Sequence, residues 1–169
     1  FSSFRSMDPD TFISFASTGI GTYAAVIYAF VILPFLDVVL GKNTTNLDDE
    51  ARKSKAINTL FDWMLYFNLP IVFGLMSYFL FQVTTQSYTT SEWIGLSLSA
   101  GILLATNSIN VAHELGHRQS LIERTMSKIL YIPCLYMHFY IEHNFGHHMK
   151  VATPEDGATA KYNQSVYAF

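Results

Sequence analysis

The side chains best suited to chemistry lie in two short runs, VAHELGHR (Val111 to Arg118) and IEHNFGHH (Ile141 to His148). All six histidines fall between His113 and His148, and the pattern His-x-x-Gly-His occurs twice. On an α-helix residues i and i+4 share a face, so His113 with His117, and His143 with His147, can each present two imidazoles to one metal. His148 then points roughly 100° away from His147 and can reach a second metal. The first run also fits the HExxH pattern of zinc proteases, with Glu114 as general base. A catalytic zinc takes three protein ligands, however, and five clustered histidines exceed that number. They suit two metals, and imidazole is a ligand for iron and copper as well as for zinc. His138, in the run MHFY, has no spaced partner and reads as a hydrogen-bonded core residue.

Metal-bound imidazoles usually donate their second N–H to a carboxylate, carbonyl or amide. Asn110, one turn before His113, and Asp156, in the ATPED segment, are the outer candidates for that role; Glu114, Glu142 and Glu155 are weaker ones. Asn110 could equally form a hydrogen bond between spans. The single cysteine, Cys134, sits in the apolar run IPCLYM and reads as a buried structural thiol.

The elements that must position these groups are apolar. Half of the 169 residues are hydrophobic, 14% are charged, and mean hydropathy is +0.24. Three stretches without Asp, Glu, Lys or Arg each reach the roughly 20 residues that cross a bilayer, which predicts spans near 12–36, 63–83 and 93–112. The fold class is therefore an all-α membrane bundle in a single domain, with the first histidine run at 113–119. An interfacial helix over 129–150 carries the second, and a loop follows over 151–169. The net charge of −3 and the absence of a basic patch with interleaved aromatics exclude nucleic acid as a partner.

Lys42, Arg52, Lys53 and Lys55 lie in the first connector, whereas residues 82–91 carry no cation, so the first connector is cytoplasmic and the third span delivers HELGH to the same side. Thr89 with Glu92, and Ser120 with Glu123, have capping-box spacing and start helices. The first histidine helix is expected to end near Gln119, and Thr153-Pro154 predicts a short helix after the second run. Phe1 and Phe169 do not look like natural termini, and the chain reads as a fragment.

NVAHELGHR (Asn110 to Arg118) and IEHNFGHHMKVATPEDGATA (Ile141 to Ala160), with LPFLD (Leu33 to Asp37) in support, resemble the integral-membrane non-haem di-iron alkane monooxygenases, within the wider histidine-box hydroxylases and desaturases. The H-x-x-x-H-H spacing followed by VATPED is similar to the alkane and xylene hydroxylase branch. The resemblance implies six spans, of which three are visible, and further ligands outside this chain. It implies His113, His117, His143, His147 and His148 as ligands of two iron ions, O2 as co-substrate and terminal hydroxylation of medium- to long-chain alkanes. A rubredoxin-type electron donor, membrane lipid as surroundings and a bacterial inner membrane with the site facing the cytoplasm complete the expectation. An aryl-methyl hydroxylase, an acyl desaturase and, more remotely, a zinc protease stay open as alternatives. Gly21, Ala25 and Ala29 form a stripe of small side chains on the first span. Close helix packing explains it; alternatively it borders a narrow substrate channel, in which bulk at Ala29 would shorten the alkanes accepted.

Overall fold

The computed structural model describes residues 9–41 and 59–169. Lys42, Arg52, Lys53 and Lys55 lie outside the described residues. The helices are α1 (Pro9–Ala16), α2 (Gly19–Leu40), α3 (Thr59–Thr85), α4 (Thr90–Gly116), α5 (Leu121–Leu130) and α6 over 138–150, and there is no strand among the described residues. Three of them, α2, α3 and α4, are long and apolar enough to cross a membrane. Large apolar side chains left exposed along them, such as Phe30, Val38, Phe67 and Leu80, suit hydrocarbon as solvent.

The first span starts at Gly19, later than the expected residue 12. The chain breaks after Ala16 and turns through Gly19 at φ +58°, a conformation open to glycine. Glu92 holds the break from a distance. One of its carboxylate oxygens accepts the Gly19 N–H at 2.6 Å, and the other accepts the Thr89 N–H and hydroxyl, both at 2.8 Å. The Thr89 hydroxyl in turn accepts the Glu92 N–H, which completes the expected capping box at the start of α4.

In lipid the pull between helices comes from close packing and polar contacts rather than from apolar burial. At Gly95 on α4 an added Cβ would collide with the Thr22 hydroxyl and stand 2.8 Å from the Tyr23 ring. This absence of a side chain lets α2 approach closely enough for the Ser99 hydroxyl to donate to the Thr22 carbonyl at 2.8 Å. Buried Asn107 on α4 donates to Asn68 on α3 at 3.0 Å. Helices α4 and α5 are latched reciprocally, Ser108 donating to the Leu130 carbonyl and Ser127 to the Ala112 carbonyl at 2.6 Å. Around these bonds sit Leu65, Val72, Leu96, Leu103, Leu115, Leu130 and Tyr131.

Four sequence expectations are corrected. The helix expected over 129–150 begins only at His138, because residues 131–137 form turns around Pro133 and Leu135 at φ 51°. Proline has no N–H to give a helix and disfavours helical backbone at the preceding residue. Ser120 starts α5 without a side-chain cap; Glu123 instead accepts the Tyr66 hydroxyl of α3 at 2.8 Å. The first histidine helix stops at Gly116, short of Gln119. No helix follows Thr153-Pro154, since the Thr153 hydroxyl turns back to the Lys150 carbonyl at 2.7 Å and the Asp156 N–H closes a turn onto the Thr153 carbonyl at 3.2 Å.

Candidate metal centre

The last turn of α4 carries His113, His117 caps its end, and α6 brings His143 and His148 against them. The Nε2 atoms converge: His113 to His143 is 2.7 Å, His113 to His117 and His117 to His143 are each 3.2 Å, and His143 to His148 is 2.9 Å. An imidazole nitrogen carries either a proton or a lone pair. In the triangle of His113, His117 and His143, at least one contact therefore sets like against like whatever the tautomers. A cation at the centre relieves that repulsion. Nitrogens held 2.0–2.1 Å from one ion at right angles stand about 3.0 Å apart, close to the spacing found here. The donor set thus fits a metal ion.

Backbone geometry decides which histidines meet. Residues Glu142–His147 form a π-helical stretch, in which the turn is wider than in an α-helix. His148, five residues after His143, therefore joins the cluster, and the expected i, i+4 pairing of His143 with His147 at one metal position is replaced. His147 stacks beside His143 with ring centroids 5.5 Å apart and turns its Nδ1 to Asp156, 2.7 Å away. A second π stretch, Leu104–Ile109, precedes the first histidine helix. Such stretches recur at functional sites.

Asp156 is buried and fully engaged. One oxygen accepts the Ala158 N–H at 3.0 Å, and the other accepts the Thr159 hydroxyl and faces His147. The Thr159 hydroxyl above all, then the Ala158 amide and His147, holds its carboxyl below the usual range. An ionised carboxylate accepts a hydrogen bond from Nδ1–H of His147, the tautomer in which Nε2 is the nitrogen free to bind a metal. At His143 burial, followed by the neighbouring imidazoles, pushes the pKa down to about 4, so the ring is neutral near pH 7.

The remaining candidates separate clearly. Asn110 is exposed, and among the described residues no hydrogen bond reaches its side chain; the bond between spans is made by Asn107, one turn earlier. His138, expected in the core, is exposed on the far side of α6 beside Tyr136. Glu114, the protease base of the HExxH reading, pairs with Arg118 at 3.2 Å, and Arg118 also reaches Asp62 at 3.3 Å. Gly21 and Ala25 pack on the end of α1: a Cβ at Gly21 would meet Ser17 at 2.6 Å, and the Ala25 N–H donates to Ser14 at 3.0 Å. Ala29 is half-buried one turn further on. Burial raises the pKa of Cys134, which lies 3.9 Å from the Leu104 carbonyl and takes no part in the cluster. Sequence reasoning missed Phe139, whose ring lies flat on His143 at 5.0 Å, and Thr159, which anchors Asp156. The four-residue spacing of Phe139 and His143 was the available signal for the first.

Fold and site together define an all-α membrane protein that gathers histidines at the end of a span. No family model matches the chain. It is 34% identical over 154 residues to an alkane 1-monooxygenase of Pseudomonas putida, a match covering 90% of this chain and 38% of the relative. It is 33% identical over 138 residues to alkane 1-monooxygenase 1 of Alcanivorax borkumensis, covering 82% of this chain and 34% of that one. The xylene/toluene monooxygenase hydroxylase component of Pseudomonas putida is 32% identical over 150 residues, covering 83% and 37%. The chain spans little more than a third of the length of these curated relatives. It belongs to the alkane hydroxylase family.

Proposed function

We propose that this chain contributes the first two histidine groups of an enzyme that hydroxylates the terminal carbon of medium- to long-chain alkanes with O2, giving 1-alkanols. The observation that carries the reading is the convergence of the His113, His117 and His143 Nε2 atoms at distances suited to one ion, with the His148 Nε2 2.9 Å from that of His143. In this reading His113, His117, His143 and His148 hold one iron, and His147, oriented by Asp156, serves the second. Iron bound there supplies the redox chemistry by which one oxygen atom of O2 enters a C–H bond and the other leaves as water, with two electrons and two protons taken up. The residues of this chain hold the ligands in place: Phe139 against His143, Asp156 on the Nδ1 of His147, and α5 latched to α4 beneath the first pair.

The membrane location suits a substrate that dissolves in lipid. A rubredoxin-type carrier would deliver electrons at the cytoplasmic face of a bacterial inner membrane, in keeping with the distribution of Lys and Arg. The likeness to the xylene/toluene hydroxylase component favours one second reading, oxidation of an aryl methyl group. The test is iron content and product analysis of the full-length protein given n-octane or p-xylene. About two irons per protein and 1-octanol as the main product are expected. Zinc without iron would overturn the oxygenase reading, and a strong preference for p-xylene would move the substrate to the aryl class.

A further inference from the structure

A groove of about 540 Å³ on the opposite side of α6 from the histidine cluster is lined by Arg124, Lys128, Met137, His138, Tyr140, Ile141 and Phe145. Its two cations lie one turn apart on α5, and among the described lining residues none is acidic. The Nε of Arg124 is buried without a hydrogen-bond partner, a costly state for a strong donor. Lys128 lies with its ammonium 4.9 Å from the Tyr140 ring centre, and neither residue forms an ion pair among the described residues. The groove thus offers positive charge and no internal anion.

Its other wall is apolar and open: Ile141 is 61% exposed and Phe145 62%. Helix α5 follows the end of α4 by only a short turn and leaves Leu121 and Ile122 outward, so it lies at the depth where a bilayer passes from acyl chains to headgroups. Basic pockets at that depth suit phosphate headgroups. A free phosphate would use the cations but leave Ile141 and Phe145 uncovered, whereas a phospholipid satisfies both walls. We propose that this groove binds one anionic phospholipid, its phosphate on Arg124 and Lys128 and an acyl chain along Met137, Ile141 and Phe145. The proposal rests on the membrane placement of the bundle and is independent of the metal chemistry.

The test is native mass spectrometry of the full-length protein in neutral detergent, titrated with phosphatidylglycerol or with phosphatidylcholine of the same acyl chains. One retained phosphatidylglycerol is expected, bound well ahead of phosphatidylcholine. In Arg124→Gln/Lys128→Gln that preference should fall about 30-fold, taking roughly a kcal/mol for each cation near the surface. Lys128→Gln alone, on an exposed side chain, should fall several-fold and keeps the test decisive if the double variant does not fold. Equal binding of the two lipids, or a preference unchanged in both variants, would overturn the proposal. Displacement of the lipid by millimolar inorganic phosphate would overturn it in favour of a free-anion site, and displacement by an acidic protein without any lipid preference would overturn it in favour of protein docking.

Discussion

The second nitrogen of a ligating imidazole decides how firmly the first is aimed. At His147 that second nitrogen meets Asp156, whose own position is fixed by Thr159 and the Ala158 amide. Asp156→Asn keeps the shape and removes the charge, and it is expected to weaken iron retention about 10- to 100-fold. Thr159→Val should act in the same direction by less, since the Ala158 bond survives. Iron remaining after graded chelator treatment of the full-length protein measures both, and unchanged retention in Asp156→Asn would remove the residue from the site. His148→Ala is expected to lose iron as fully as His143→Ala, because their Nε2 atoms stand 2.9 Å apart. The histidines themselves were legible in the sequence, since five imidazoles at helical spacing have few other uses. Which of them share a face was not. That depends on a wider turn at Glu142–His147, and nothing in the residue types EHNFGH announces one.

At the scale of elements, the spans are held by a few polar bonds and by close approach at small residues. The Asn68–Asn107 bond between α3 and α4 should show a coupling of about 0.6 kcal/mol in a double-mutant cycle with Leu at each position. Unfolding in detergent measures it, and a coupling near zero would mean that each amide finds another partner when alone. Gly95→Ala should cost about 1–3 kcal/mol, since the added methyl must displace the Thr22 hydroxyl and the Tyr23 ring together. Uncharged runs made the spans readable, and the Thr89–Glu92 spacing gave the start of α4. The start of the first span could not be read in the same way. Its break at Gly19 is stabilised by Glu92, 73 positions away in the chain, and local sequence carries no trace of so distant a partner. The turns at 131–137 carried a local sign in Pro133, but the apolar run around it argued more strongly for continuous helix.

For the whole molecule, the spans α3 and α4 run antiparallel through the short turn 86–89, so the start of α3 and the histidine end of α4 lie on one side. The Arg118–Asp62 contact joins those two ends directly. In the proposed orientation the cation-free turn between the spans lies on the outer side and the histidines on the cytoplasmic side. In a Cys134→Ala background, Gln86→Cys should react with a membrane-impermeant maleimide in intact cells while Gln119→Cys should not. Inside-out vesicles should reverse the pattern, both positions being exposed in the fold. The opposite labelling would place the histidines outside, where a cytoplasmic electron carrier cannot reach them. It would sink the proposed donor while leaving the cluster, and the metal it fits, untouched.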